Sequence, residues 1–477
     1  MHTGKSATGV TALALVLLLT SCAYQHYHPV PLSPAQTAAS LRARSLQDPN
    51  LRAFIEKNLG HKVDAWPMRQ WNMDTLTLAA FYFNPTLEVA RAQLATVEAG
   101  KITAAQRPNP SFGVAPGGET SSPGTPWLFN LGLGIPFETA GKRGHRERLA
   151  RNAANSAEIA VAQQAWKVRS QLRATLLDYI DAQRSVELLR LSQQTNEEVV
   201  QLLQARLSEG EIARPELDAA RADLSSASVQ LRAAEGRMQQ TRTALAAAIG
   251  VSVAALNGLE FTWRGYDDPP KSFSEKEIQR DAVLNRMDIR AALANYAVAE
   301  ASLRLEIANQ YPNVVIGPTY TFEEGKDLFT LAVDLVLPVF NHNQGPVAEA
   351  MATRKEMAAR FVAVQANAIG ASENALATYH ASLQELRARQ DFLKIQEERE
   401  KATRRQQALG AADRLAVETA VIQTLTAKST VAQAMYRAQA ALGALEDAVQ
   451  RPLEPASTLT IAPGAQALQE GAKRETP

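Results

Sequence analysis

From Gly144 to Glu209 the chain runs 66 residues without a proline, and without a glycine after the first position. Nothing in that stretch obliges an α-helix to stop. At 1.5 Å per residue, one helix of that length is roughly 100 Å long. A compact globular domain cannot hold such an element, so the stretch fixes the class of fold before any motif is read. Leu172, Leu176, Tyr179, Val186 and Leu189 form one apolar seam, and Leu177, Ile180, Leu188 and Leu191 form a second beside it. A helix with two adjacent seams needs a neighbour on each side, as in a tube of helices; a two-stranded coiled coil needs only one.

The second half of the chain repeats the first. Pro108-Asn109 leads into a strand-like run that closes at Ile135-Pro136-Phe137, and Pro312-Asn313 leads into one that closes at Leu337-Pro338-Val339-Phe340. Gly210 breaks a long helical pattern in copy one, and Gly410 does so in copy two. The separations are 204, 202 and 200 residues, the mark of a duplicated structural unit and not of a solenoid.

Within copy one, Leu76, Ala79, Ala80, Phe83, Leu87, Ala90 and Leu94 recur at helical spacing, which predicts a helix from Asp74 to about Gln106. Asp74 is its expected N-cap, and Pro85 is expected to bend or restart it. A hairpin over about 110–137 follows: a strand at Ser111–Ala115, a loop at Pro116–Pro126 and a return strand at Trp127–Phe137. On the return strand Trp127, Phe129, Leu131, Leu133, Ile135 and Phe137 share one face, opposite Leu128, Asn130, Gly132, Gly134 and Pro136. The chain reverses again at Gly210-Glu211-Ile212-Ala213, with Pro215 placed for the first turn of a helix that Gly250 ends.

Copy two predicts a helix from Asp281 to Asn309 and a hairpin over about 313–340. A helix from Val347 to Leu409, interrupted only by Gly370, then leads to a turn at Gly410-Ala411-Ala412-Asp413 and a last helix to Val449. In this hairpin Val314–Phe322 meets its return strand across Glu323–Asp327. Phe329, Leu331, Val333, Leu335, Leu337 and Val339 share the apolar face, and Thr330, Ala332, Asp334 and Val336 the other.

With 50 Lys+Arg against 49 Asp+Glu the chain has almost no net charge, which removes an electrostatic case for nucleic acid. Seven scattered histidines and one cysteine exclude an internal disulfide and a Cys-rich zinc site. His26-Tyr27-His28 reads as solvated polar residues rather than a metal site. No nucleophile, phosphate-binding loop or metal-ligand spacing stands out, so neither enzyme nor cofactor is expected.

The cysteine matters for its place. Lys5 supplies a positive start, Val10–Leu19 an apolar run too short to span a bilayer, and Thr20-Ser21-Cys22 follows. The string resembles the lipobox of bacterial lipoproteins, which implies a cleaved signal at 1–21 and lipidation at Cys22. Ala23, where an aspartate does not stand, favours sorting to the outer membrane by the same resemblance. The remaining expected divisions are an extended arm at 22–73, a first repeat at 74–260 and a linker at 261–280. A second repeat at 281–451 and a disordered tail at 452–477 complete the chain.

Strands of about nine to eleven residues, apolar on one face and with aromatics at their ends, match a tilted membrane crossing. Closed membrane barrels begin at about eight strands, because an open edge in lipid leaves backbone groups unsatisfied. Four strands per chain therefore demand partner chains.

Asp74-Thr75-Leu76 through Ala80, Asn84-Pro85-Thr86-Leu87, the paired Pro-Asn hairpin starts and the matched Gly210 and Gly410 turns resemble the TolC-like outer membrane efflux proteins over about residues 70–450. The resemblance implies a mainly α fold with a transmembrane β portion. It also implies a homotrimer whose four strands per copy make a twelve-stranded barrel, continuous with a long periplasmic helical barrel. Its implied partners are a periplasmic adaptor, an inner-membrane pump of the RND type and outer-membrane lipid. Phe137-Glu138-Thr139-Ala140-Gly141-Lys142-Arg143-Gly144 and Phe340-Asn341-His342-Asn343-Gln344-Gly345 resemble the CzcC-like heavy-metal branch, which implies export of divalent cations. A drug-efflux or type I secretion duct is the alternative within the family, and a non-conducting periplasmic coiled-coil scaffold the alternative outside it.

In such a duct Gly210, Glu211, Ile212, Ala213, Gly410, Ala411, Ala412 and Asp413 would form the periplasmic tip that an adaptor engages. Asp413 has two readings, an acidic ring at a constriction or a helix cap. Asp334 is expected to face the lumen. Lys142, Arg143 and Arg146 are expected to form a solvated basic collar where strand hands over to helix.

Overall fold

A computed structural model describes residues 25–118, 127–263 and 265–453. The chain divides into two units, 1–43 and 44–477. In the first, the described element is helix α1 (Pro34–Ala43), which has no buried residue.

The second unit starts with α2 (Pro49–Leu59) and β1 (Gln70–Trp71). An extended arm is not what forms here. Pro49 occupies the first turn of α2, where its missing N–H costs nothing, and Asp48 accepts a hydrogen bond from Asn50 N–H. Leu46, Leu51, Ile55 and Trp71 are fully buried in the main core. Helix α3 (Met73–Phe83) is capped by Asn72 and not by Asp74, because Asn72 and Thr75 exchange hydrogen bonds of 2.9 and 3.1 Å in a capping box. Pro85 restarts the chain as α4 (Pro85–Ala105).

Strands β2 (Ser111–Gly118) and β3 (Trp127–Phe137) follow, so the first strand runs three residues into the expected loop. Then come α5 (Lys142–Ser208) and α6 (Arg214–Ile249), of 67 and 36 residues. Strand β4 (Glu260–Phe261) pairs in parallel with β1. The segment expected to be a linker is packed instead: Trp263 and Tyr266 are buried, and Tyr379 donates to the Pro270 carbonyl at 2.5 Å. Its aromatic residues supply the apolar area that a free linker lacks.

Copy two comprises α7 (Glu275–Leu284), α8 (Met287–Ala308), β5 (Val314–Glu323), β6 (Lys326–Leu335), α9 (Gln344–Ala408) and α10 (Arg414–Val449). The single helix expected over 281–309 is thus two, broken at Asn285-Arg286 as copy one is broken at Asn84-Pro85. Helix α9 runs through Gly370 without interruption.

In each copy two shorter helices stand end to end beside one long one. At the copy-one joint, Asn84 donates to the Ala248 carbonyl at 3.0 Å. Gly250 is left-handed there, and a Cβ would lie 2.6 Å from the Phe83 carbonyl oxygen, so only glycine fits. At the copy-two joint Arg286 donates to the Ala448 carbonyl at 2.5 Å and Gln450 accepts from Met287 N–H at 2.6 Å.

Beside these joints, α5 is bound to α10 by a buried ionic network. Arg169 and Arg173 lie 2.9 and 3.4 Å from one Glu446 oxygen. Their guanidinium groups sit over Trp166 and Trp263. Asp447 accepts from Trp166 and Ser170, and burial raises its carboxyl above the usual carboxylate range. Taking one partner from such a network leaves a buried charge uncompensated.

Candidate functional site

The four long strands form one antiparallel sheet in the order β2-β3-β5-β6, so β3 and β5 join the two copies and β2 and β6 are the edges. Hairpin two closes on a two-residue turn, Glu324-Gly325, and not on the expected five residues. Both have positive φ, which matches the right-handed twist of the flanking strands. Strand β6 ends at Leu335 and not at Val339, because Pro338 has no N–H to give a ladder.

The register sorts the side chains cleanly. One face carries Phe112, Phe129, Leu131, Tyr320, Phe329 and Leu331, with Trp127 70% and Phe329 77% exposed. Exposed aromatic and aliphatic area on that scale has no counterpart on a half-buried soluble sheet. The other face carries Gly113, Gly132, Gly317, Thr319, Ala332 and Asp334, with Asp334 paired to Val315. Gly317 is obligatory, since a Cβ there would run into the Leu133 carbonyl of the adjacent strand. Among the described residues no helix is long and apolar enough to cross a membrane.

Where strand hands over to helix, the basic residues are each held by a partner; Lys142 is buried, and Arg143 and Arg146 are partly exposed. Lys142 is buried and donates to Asn313 at 2.6 Å, and burial pushes its ammonium below the usual lysine range. Arg146 is ion-paired with Glu138 and donates to the Gln106 carbonyl, and Arg143 pairs with Glu147. Thr139 donates to the Pro312 carbonyl at 2.7 Å. The junction therefore ties the end of hairpin one to the start of hairpin two.

At the far ends of the long helices the two turns match bond for bond. Gly210 and Gly410 are left-handed, and Glu211 and Ala411 N–H groups reach back to the Arg206 and Gln406 carbonyls at 2.9 and 2.8 Å, a Schellman closure in each. Ile212 packs with Leu203, Leu217 and Leu415, so the turns lie side by side within one chain. Ala213, Ala411 and Asp413 are exposed and Ala412 is half-buried.

Asp413 caps α10 by accepting from Ala416 N–H at 2.8 Å and pairs with Arg206 at 2.5 Å. The Arg206 guanidinium, with the backbone bond, holds its carboxyl below the usual carboxylate range. Arg414 reaches Glu198 at 3.0 Å. Sequence reading missed Arg206, Glu198 and Arg414. A basic residue in a helix's last turn reads first as a partner for the helix dipole, and pairings across some two hundred residues leave no local pattern.

His26 and His28 are exposed in the first unit. Cys22 lies outside the described residues.

Residues 80–251 match the outer membrane efflux protein family. Among relatives, the cobalt-zinc-cadmium resistance protein CzcC of Cupriavidus metallidurans is 25% identical over 310 residues, 64% of this chain and 72% of the relative. Solved structures share the fold of this chain. The outer membrane protein VceC of Vibrio cholerae superposes with a TM-score of 0.64 at 18% identity, over 80% of this chain and 97% of VceC. CusC, studied for folding and transmembrane channel formation, gives 0.65 at 17% identity, over 80% of this chain and 92% of CusC. The family is one of efflux channels, transporters and not enzymes, with a helical portion joined to a β portion.

Proposed function

We propose that three copies of this efflux protein form an outer-membrane duct, each giving its four strands to one closed twelve-stranded barrel prolonged by a periplasmic barrel of helices. The observation that carries the reading is the sheet: four strands with one apolar exposed face and two unpaired edges, β2 and β6. In lipid those edges must pair, and a second and third copy supply the same edges in register.

The duct conducts passively between an inner-membrane pump of the RND type with its periplasmic adaptor and the outside. Divalent heavy-metal cations are the cargo. The likeness to CzcC and the strings around Gly141 and Asn343 support that cargo. Lipidation at Cys22 anchors the N-terminus to the outer membrane. The Arg206–Asp413 and Arg414–Glu198 pairs hold the two turns of each copy together at rest, and the adaptor engages Gly210–Ala213 and Gly410–Asp413 to part them.

Deletion of the gene, followed by challenge with zinc, cobalt, cadmium, nickel, copper, silver and a panel of organic drugs, tests the cargo. Sensitivity confined to metals and restored by the intact gene is the expected result. Sensitivity to drugs alone would overturn the metal cargo and leave the duct standing. Palmitate labelling lost in Cys22→Ala tests the anchor.

A further inference from the structure

We infer that Asp334 makes the barrel lumen prefer cations over anions; this rests on the duct reading above. Strand β6 places Asp334 on the face opposite Phe329, Leu331 and Val333, the residues left bare for lipid. The face it shares carries Gly132, Gly317, Thr319 and Ala332, with Val315 directly beside Asp334 and Pro136 beyond, all of them short or compact uncharged side chains.

Charge on that face is sparse among the described residues. Glu323 and Lys326 stand opposite each other at the hairpin turn, and Lys326 also pairs with Glu324 at 3.4 Å, so the one cation at that end is already engaged. Asp334 lies at the other end of the strand, next to the junction. Of the bases at that end, Lys142 is buried and spent on Asn313, Arg143 pairs with Glu147 and Arg146 with Glu138. Among the described residues no ion pair reaches Asp334, which leaves an exposed carboxylate facing open solvent.

Three copies around a threefold axis turn this single carboxylate into a ring. Rings of acidic side chains select cations by raising their local concentration and repelling anions. With walls of low dielectric and a screening length of about 10 Å at 0.1 M salt, the field of such a ring reaches about 10 Å into the lumen. A metal-exporting duct gains from that sign of charge, because the ring favours the passage of divalent cations.

The test uses the purified full-length trimer in planar bilayers, with reversal potentials read across a potassium chloride gradient. The native duct should pass potassium in preference to chloride. Asp334→Asn should keep its conductance and lose cation preference by about two-fold at 0.1 M salt, and more at lower salt. Asp334→Lys should reverse the preference. A conducting Asp334→Asn duct with the native permeability ratio would overturn the inference and leave the duct reading intact. A native trimer that never conducts would overturn the duct reading and this inference together.

Discussion

Helix α5 has 21 buried residues and α9, of nearly equal length, has 10, and the difference traces to the neighbours each finds within one chain. Helix α5 packs on α3, α4, α6, α8 and α10; α9 packs on α7, α8 and α10. The seam between α5 and α10 is ionic and dry, built on Arg169 and Glu446. Its duplicate, α9 against α6, is not formed as a packed seam among the described residues of one copy. At the position of Arg169, which is 1% exposed, copy two has Ile369, 39% exposed, and at the position of Glu446 copy one has Ala246. Duplication kept the backbone plan and changed the chemistry of one seam. The seam made inside the chain is held by charge. In the proposed trimer the exposed Ile369 takes the place of Arg169 on the helix that meets the next copy, so that position needs no ion stripped of its water.

Substitutions can break that contrast. The largest effect is expected at Glu446→Ala, which leaves Arg169 and Arg173 buried without their shared partner and costs about 3–5 kcal/mol, read from denaturant unfolding. Ile369→Asp puts an unpaired carboxylate into the seam between copies. It should weaken assembly by about 2 kcal/mol per seam, seen as monomer by light scattering in detergent with helix content unchanged by circular dichroism. At the turns, Asp413→Ala removes a cap and an inter-turn ion pair and should cost about 1–2 kcal/mol.

The same carboxyl has a pH signature. Its folded pKa lies below its unfolded one, so its contribution is present at neutral pH and is lost as pH falls through the carboxylate range, below about 4. Melting curves of the native chain and Asp413→Ala should therefore converge in acid. The smallest effect sharpens the comparison: Ala213 caps α6 with no side chain, and Ala213→Asp should add about 0.5–1 kcal/mol by giving copy one the cap that copy two has. No gain would mean that the turn, and not the cap, limits this helix end.

The periodic and glycine signals were readable in advance because they are local. The long helices, the left-handed Gly210, Gly250 and Gly410, and the alternation that splits Phe329 from Thr330 each follow from a few consecutive residues. What escaped was tertiary. Pro49 reads as a breaker until a helix is seen to start on it, and Asn285 marks a helix end only because Arg286 has the Ala448 carbonyl to bond. Trp263 and Tyr266 sit in a Gly/Asp/Pro-rich stretch that composition marks as a linker. Of the working residues, Asp413 and Asp334 stand out by position, whereas their context, Arg206 for one and a bare face for the other, exists only in the folded chain.

The end-to-end joints have a mechanical consequence. Below each joint hangs a helix of 36 residues, an arm of about 54 Å. The long helix alongside each joint runs past it unbroken and acts as a flexure. A tilt of one degree at Asn84–Gly250 or Arg286–Gln450 carries the tip on the order of 1 Å, through simple leverage along that arm. A few degrees of bending in α5 and α9 are then enough to separate Arg206 from Asp413, so the turns can travel far while the sheet end barely stirs.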